Sequence, residues 1–273
     1  MSTARKNLSS IAATLFGSRS RVIYLISVPF TLFAIFLLWE GITRYTAVPE
    51  FILPSPGSVW SRFISSIEDG SLPKHTITTF TEVLGGLVLG IFVAANLGYV
   101  LAKSETAERV LAPYIVASQS IPVVAIAPLL IIWFGSGQIS KILISALIVF
   151  FPVLVNTIVA VRSVPEDLRD LMRSLRATSM QIFTKLELPA AMPVLLGGLK
   201  IGATLSVIGA VVGEFVAADE GLGFLINLSR GMYDTAMVFV TVFTLVAMAL
   251  SLYTIVALVE LKVLAWRKDP SES

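Results

Sequence analysis

The sequence predicts an all-α integral membrane protein with six transmembrane helices and both termini on the cytoplasmic side. Hydrophobic residues make up 56% of the 273 residues and charged residues only 14%, whereas soluble domains carry about 25% charged residues. Six largely uncharged runs are each long enough to cross a bilayer, which takes about 20 residues. Lys and Arg are distributed unequally between the connecting segments, which indicates the orientation.

Each apolar run predicts one span, in chain order. The runs are Val22–Trp39, Val83–Ala102, a stretch within Val110–Ser140, Ile142–Val161, Val194–Gly213 and Thr235–Val259. We expect the first to remain an uncleaved helix, because no small-residue cleavage site follows it. The third contains Pro122 and Pro128, which interrupt helical hydrogen bonding. Both a broken helix that lines a polar cavity and a kinked structural helix fit this pattern.

Basic residues decide the predicted orientation. With the N-terminus inside, the inner segments carry 14 Lys or Arg and the outer segments carry 5, while acidic residues divide nine and nine. The bias is therefore specific for basic side chains, as the positive-inside rule requires. The predicted organisation is a cytoplasmic N-terminal segment 1–21, a first transmembrane helix 22–39, an external loop 40–82, a core 83–261 that includes an inner loop 162–193, and a cytoplasmic tail 262–273.

Composition also excludes several classes of site. The chain has no cysteine and one histidine, His75, so disulfides, thiolate sites and multi-histidine metal sites are excluded. A net charge of +2 does not suggest a nucleic-acid partner. Lys200, Glu40, Glu82 and Glu214 are expected near the ends of spans, with Lys200 extending to the headgroups. No intramembrane relay of ionisable groups is expected, which weighs against proton-coupled transport and hydrolysis.

Small residues recur at every fourth position on two of the predicted spans. Such stripes let helix backbones approach closely in a membrane. They indicate packing within one bundle or, alternatively, a subunit interface or sliding surface. The positions are Gly86, Gly90, Ala94 and Gly98 on the second span, and Gly198, Gly202, Ser206 and Ala210 on the fifth.

The inner loop 162–193 is predicted to contain two amphipathic helices. Capping boxes at Ser163–Glu166 and Thr178–Gln181 mark the two starts, and Pro189 is expected to end the second helix. Mixed basic and acidic residues suit docking onto a protein as well as lying on the bilayer surface, and both interpretations stay open. The apolar stripe of the first helix consists of Leu168, Leu171, Met172 and Leu175.

The same loop resembles the EAA loop of ABC importer permeases, whose signature is E-A-A, three residues, Gly, about nine residues and I-x-L-P. Asp170 stands at the glutamate and Arg176 at the glycine, and Leu186–Pro189 matches the terminal motif. A non-glycine residue in a left-handed turn costs about 1 kcal/mol, so a different turn at Arg176 stays open. The resemblance implies that one set of residues couples to an ATPase: Asp170, Leu171, Met172, Arg173, Ser174, Leu175, Arg176, Ala177, Leu188 and Pro189.

Other stretches resemble the branch of permeases for nitrate, taurine, aliphatic sulfonates and vitamin precursors, from about Phe51 to the C-terminus. They are Leu53–Pro56, Pro128–Gly135 and Gly213–Gly223, and the last looks most like permeases for pyrimidine thiamine precursors or riboflavin. The resemblance implies a MetI-like permease fold in a bacterial inner membrane. Candidate pathway residues are Gln119, Ser120, Pro122 and Glu214.

The resemblance also implies a set of partners. The chain has no phosphate-binding loop, so it is expected to be a transport subunit rather than an enzyme, without a cofactor or catalytic residue of its own. Two separate ATPase subunits would use ATP and Mg²⁺, two copies of this chain would form the pathway, and a periplasmic or lipid-anchored solute-binding protein would deliver the solute. The alternatives are an ion-coupled secondary transporter and a non-transporting membrane scaffold.

Overall fold

The computed structural model describes residue 27 and residues 29–46 and 48–265. Helices make up nearly all of this part of the chain, and no strand occurs in it. In chain order the elements are α1 at 29–45, α2 Pro56–Glu68, α3 Ser71–Lys103, α4 Glu105–Gln119, α5 Val123–Phe134, α6 Gln138–Arg162, α7 Glu166–Ser174, α8 Ser179–Ile182, a π-helical turn Phe183–Glu187, α9 Leu188–Val216, α10 Leu222–Gly231 and α11 Thr235–Val263.

Four helical stretches in the described residues are long and apolar enough to cross a membrane: α3, α6, the run Ser179–Val216 and α11. The α4–α5 pair, bent by 91°, makes a fifth if it is one broken span. The predicted first span lies partly outside the described residues, and all of segment 1–21 and the end of the tail lie outside them. The count of six spans and the orientation therefore stay predictions.

The break between α4 and α5 falls at the first of the two predicted prolines. Gln119 ends α4, and Pro122 is the N-cap of α5 with an extended backbone. Pro128 lies inside α5 without ending it. The interruption is therefore a sharp bend rather than a kink at each proline, because Pro122 both lacks a donor and forces the preceding residue away from helical dihedrals.

The structural centre is α6, which packs between α3 and α9. A Cβ added to Gly90 would lie 2.8 Å from the carbonyl oxygen of Ala146, and one added to Gly198 would lie 2.8 Å from the Asn156 side chain. The Ser145 hydroxyl donates to the Ser206 carbonyl across the α6–α9 contact at 2.9 Å. These contacts confirm the interpretation of the small residues as packing positions within one bundle.

The remaining helices cover this three-helix centre. Met237 and Val240 of α11 belong to the same buried apolar cluster as Leu222 of α10. The Trp39 ring stacks on Phe239, with 5.4 Å between ring centroids. The bundle thus has two ends: the α7 end, where α3 and α6 finish and α9 begins, and the α10 end, where α3 begins and α9 finishes.

Candidate functional site

The first predicted helix of the inner loop forms as α7, but its start differs from the prediction. Pro165 is the N-cap, and no side chain caps the helix. Ser163 keeps helical dihedrals as the C-cap of α6, and its hydroxyl donates to the Ala160 carbonyl at 2.8 Å. The predicted capping box at Ser163–Glu166 is therefore wrong, because an N-cap needs extended backbone and Ser163 still belongs to the preceding helix.

The second capping box is confirmed. The Thr178 hydroxyl accepts from the Gln181 N–H, and the Gln181 side chain accepts from the Thr178 N–H at 2.8 Å. Pro189, however, does not end this helix. The chain passes from α8 through the π-helical turn into α9, and the Leu188 N–H bonds to the Phe183 carbonyl five residues earlier. The prediction failed because the wider turn shifts the hydrogen-bond register just before Pro189, which has no N–H to donate.

The turn between α7 and α8 has the left-handed conformation that the family signature assigns to glycine. Arg176 has φ of 56°, and the Ala177 N–H donates to the Met172 carbonyl at 3.0 Å. This 6→1 bond is the closing bond of a Schellman motif. An arginine therefore occupies a glycine-type turn, and the alternative of a differently built turn is excluded.

The apolar stripe of α7 is largely uncovered in the single chain. Leu175 is 70% exposed, and Leu168 and Leu171 are also exposed. Beside the stripe, Arg173 donates to Asp170 at 2.8 Å and to Glu166 at 3.1 Å. These ion pairs between side chains of α7 stabilise the helix and do not cover its apolar face.

Two charged groups of α7 are shifted by their neighbours. A hydrogen bond from Arg169 holds the pKa of Glu166 below its ordinary value. The hydrogen bond to Asp170, followed by the one to Glu166, raises the pKa of Arg173. Both shifts favour the charged forms, so α7 presents a fixed pattern of ion pairs beside its leucines.

A buried carboxylate connects α7 with the long helices. Glu187, in the π-helical turn, is 1% exposed. Its carboxylate accepts from Arg169 of α7 at 3.0 Å, from the Tyr99 hydroxyl of α3 at 3.0 Å, and from Lys103 of α3. Arg169 in turn donates to the Val161 carbonyl of α6 at 2.6 Å. We call Glu187, Arg169, Tyr99 and Lys103 the Glu187 cluster.

Two features of the sequence indicate parts of this cluster. Glu187 is a lone charge between Leu186 and Leu188 in the terminal motif of the loop. Tyr99 and Lys103 lie four residues apart, and therefore on one face at the end of the second span. Only the fold brings them together, since α3 and the π-helical turn are more than 80 residues apart in sequence.

A second buried carboxylate cluster lies at the α10 end. Glu214 is 1% exposed, accepts from the Thr79 hydroxyl at 2.6 Å and from the Gly223 N–H, and interacts with the carboxyl group of Glu82. Lys141 lies close enough to affect both carboxyl groups. We call these five residues the Glu214 cluster. In the described part of the chain, no group of three or more His, Asp or Glu side chains is placed to hold a metal ion.

The two glutamates differ in their positions along the helices. Glu214 lies two residues before the end of α9, as predicted. The helix α3 begins at Ser71 rather than at the first apolar residue, Val83, because helical hydrogen bonding continues through the polar stretch, so Glu82 is the twelfth residue of α3 rather than a residue at its end. Lys200 donates to Glu260 of α11 at 2.6 Å, and its extension to the headgroups stays a prediction.

The predicted pathway residues fall into two environments. Gln119, Ser120 and Pro122 are exposed at the α4–α5 bend, whereas Glu214 is buried against Gly223. Among the described residues, no hydrogen bond or ion pair joins Glu214 to the other three. The predicted coupling residues lie on α7, in the turn after it and at the start of α9. Both assignments stay predictions.

Comparison with known proteins identifies the family. The model of the binding-protein-dependent transport system inner membrane component matches residues 86–264. The chain belongs to this family. The matched region contains α6, α7, α9 and α11, and with them the whole Glu187 cluster.

Relatives of nearly full length support the assignment. The riboflavin transport system permease protein of Chloroflexus aurantiacus is 44% identical over 241 residues, which cover 88% of this chain and 90% of that protein. The formylaminopyrimidine transport permease protein of Halalkalibacterium halodurans is 35% identical over 240 residues, which cover 87% and 95%.

A solved structure supports the fold. An inward-facing form of the MetNI methionine ABC transporter superposes with a TM-score of 0.65 at 19% identity, covering 72% of this chain and 97% of that one. The chain therefore has the predicted MetI-like fold. It is a multi-pass permease subunit of an ABC importer rather than an enzyme, and it works with an ATPase, which is a separate subunit, and a binding protein.

Proposed function

We propose that this permease belongs to an importer for riboflavin or a similar uncharged heteroaromatic solute. The observation that carries the proposal is the 44% identity, over 88% of the chain, to a permease named for riboflavin transport. The relative named for formylaminopyrimidine transport is 35% identical, and a taurine transport permease of Escherichia coli is 29% identical. Among these three relatives, sequence identity is therefore highest to the permease named for riboflavin transport.

The charges inside the bundle support an uncharged solute. Lys200 in α9 is paired with Glu260 at 2.6 Å. Lys141 in α6 is 3% exposed, and its ammonium group donates to the Ser136 carbonyl. Both cations are already engaged, and an anion such as nitrate or a sulfonate would need an unengaged cation or N–H donors along its route.

The proposed assembly places α7 on the cytoplasmic side of a bacterial inner membrane, with both chain termini on that side. Two copies of the chain form the pathway, with Gln119, Ser120 and Pro122 of the α4–α5 bend lining it together with Glu214. Support comes from the exposure of this bend, since non-helical backbone is tolerated in a membrane only against protein or a water-filled cavity. Two ATPase subunits bind the α7 faces, use ATP and Mg²⁺, and switch the bundle between inward-open and outward-open states.

Riboflavin uptake tests the solute assignment. The permease is reconstituted in proteoliposomes with its ATPase and binding protein, with the ATPase and ATP inside the lumen, and accumulation of labelled riboflavin in the lumen is measured. We expect this accumulation to depend on ATP. Excess unlabelled riboflavin should suppress it, and excess taurine should not. A complex with an ATPase variant that cannot hydrolyse ATP is the control. Suppression by taurine would overturn the solute assignment, and uptake driven by an ion gradient without ATP would overturn the ATP-driven mechanism.

The coupling face is tested separately through ATPase binding. Leu171→Asp places a charge in the exposed apolar stripe, and we expect the ATPase to be lost on purification because burying an unpaired charge at an interface is costly. Leu228→Asp is the matched control, since Leu228 is an exposed leucine on α10 at the other end of the bundle. Arg173→Glu is expected to weaken binding in the same direction. Retention of the ATPase by Leu171→Asp would contradict the proposed face.

A further inference from the structure

The Glu187 cluster joins four structural elements through one carboxylate. Glu187 itself belongs to the π-helical turn that leads into α9. Lys103 and Tyr99 bind it from α3 and Arg169 from α7, and Arg169 continues to the last turn of α6 through the Val161 carbonyl. Elements more than 80 residues apart in the chain therefore meet at one side chain.

Burial makes this junction costly to open. Glu187 is 1% exposed and the Arg169 side chain 13%. If α7 moved away from α3, an uncompensated charge would be left in a poorly solvated place. Apolar contacts tolerate sliding, whereas a hydrogen-bonded ion cluster with fixed donor directions does not. The cluster therefore favours joint movement of the elements that it connects.

We propose that Glu187 is a positioning residue that makes α7, the end of α3 and the start of α9 move as one rigid unit, so that displacement of α7 by the ATPase reaches the membrane helices. The π-helical turn supplies the second part of this device. Its hydrogen bond runs from the Leu188 N–H to the carbonyl of Phe183, five residues earlier. This wider turn directs the Glu187 side chain towards α3 and α7 while the chain continues as a helix into α9. Single π turns of this kind are frequent at functional sites.

The inference rests on the proposed contact between α7 and the ATPase and adds a residue that does not itself touch the ATPase. Leu171 and its neighbours carry the docking face, whereas Glu187 is buried behind it. A docking residue and a transmitting residue differ in effect: loss of the first removes the ATPase, and loss of the second leaves the ATPase bound but separates ATP hydrolysis from transport.

The first test measures riboflavin taken up per ATP hydrolysed by the reconstituted complex. For Glu187→Gln we expect a fall of about tenfold, a typical size for coupling between two sites, with the ATPase still co-purifying. Glu260→Gln is the matched control, because Glu260 is also paired with a lysine between two long helices, α9 and α11, and forms no hydrogen bond or ion pair with α7 among the described residues. We expect a change below about twofold for it.

Each outcome of this test has a definite meaning. Equal ratios for Glu187→Gln and Glu260→Gln would overturn the inference. Loss of the ATPase from Glu187→Gln would also overturn it, because Glu187 would then support docking rather than transmission. Should Glu187→Gln fail to fold, Lys103→Gln takes its place, since it removes the charged one of the two α3 partners from a position that is 40% exposed and is expected to lower the same ratio.

A second test needs no solute. The chain has no cysteine, so Asp167→Cys on α7 and Val100→Cys on α3 provide the two sites for spin labels, with labelled chain diluted in unlabelled chain. We expect the distance distribution in the ATPase complex to stay the same when ATP, Mg²⁺ and vanadate are added, and to shift or broaden when Glu187→Gln is introduced. A nucleotide-dependent shift in the parent chain would overturn the rigid unit. Absence of ATP-driven riboflavin uptake in the parent chain would instead count against the proposed function alone.

Discussion

At the α7 end of the bundle, Glu187 is surrounded by the cations of Lys103 and Arg169, whereas at the α10 end Glu214 meets a second carboxyl group, that of Glu82, and mostly neutral donors. Both carboxylates are 1% exposed, so burial alone does not distinguish them. The difference lies in what binds them: two cationic side chains and a tyrosine hydroxyl at the α7 end, and a threonine hydroxyl, a backbone N–H and a second carboxyl group at the α10 end.

This difference indicates different tasks for the two ends. At the α10 end, Glu214 accepts from the backbone of Gly223, nine residues further along the chain, and so folds the loop before α10 back onto α9. At the α7 end, Glu187 binds partners 84 and 18 residues away and so connects α7 and the π-helical turn to α3. The Glu214 cluster thus closes a local loop and joins α9 to α3 through Thr79, whereas the Glu187 cluster joins α7 to the long helices.

The largest expected effect on stability is at the α10 end. Gly221 has φ of 114°, and an added Cβ would overlap the Glu214 carboxylate. We expect Gly221→Ala to lower the free energy of unfolding by about 3 kcal/mol, from backbone strain together with overpacking. Thermal unfolding in detergent measures this. Gly231→Ala is the control with no atom near its added Cβ. Equal effects at both glycines would remove the case for a closely packed Glu214 loop.

The next effect concerns the α7 end. Glu187→Gln keeps the side-chain shape but removes the charge that Arg169 and Lys103 bind. Hydrogen bonds to charged groups contribute about 1.5–3 kcal/mol, so we expect unfolding to become easier by about 2 kcal/mol, measured in the same way. A loss no larger than that of Glu82→Gln would mean that the two clusters do not differ in the way described.

A gain in stability is expected at the turn after α7. Arg176 has φ of 56°, a left-handed conformation that glycine adopts without steric strain and a residue with a Cβ does not. We expect Arg176→Gly to stabilise the folded chain by about 1 kcal/mol at most, because the relief of left-handed strain exceeds the added entropy of the unfolded state. Arg176→Ala, which keeps the Cβ, is the control and is expected to show no gain. A loss on introducing glycine would indicate that the Arg176 side chain itself stabilises the turn.

The smallest effect is expected at Glu82. Its Oε2 atom is the one buried side-chain nitrogen or oxygen atom in the described chain without a hydrogen-bond partner, and its carboxyl group lies beside that of Glu214. Glutamine keeps nearly the shape of this side chain and can still donate a hydrogen bond to the Glu214 carboxylate, so Glu82→Gln should change the free energy of unfolding by less than about 0.5 kcal/mol. Comparison with Glu187→Gln in one thermal series checks this. A strong destabilisation would show that the carboxyl group of Glu82 is required.

Local sequence patterns determined much of this protein. Apolar runs predicted the long helices α3, α6, α9 and α11, because a helix in a membrane must satisfy its own backbone within an apolar segment of sufficient length. The heptad-like stripe predicted α7, and the spacing from Asp170 to Pro189 pointed to the family. Small residues at every fourth position indicated that α3 and α9 each pack closely against a neighbouring helix, which is α6 in the structure. These signals lie within one turn or one helix and are therefore readable without the fold.

Tertiary structure decided what these helices bring together. Lys200 pairs with Glu260, 60 residues away, a partner that the sequence pattern did not indicate. Pro189 does not end a helix, because a π-helical turn precedes it. Glu187 and Glu214 become buried centres of two clusters whose partners come from distant segments. A charge in a membrane protein has few acceptable places, and its partner depends on which helices pack against each other, a property that no local pattern contains.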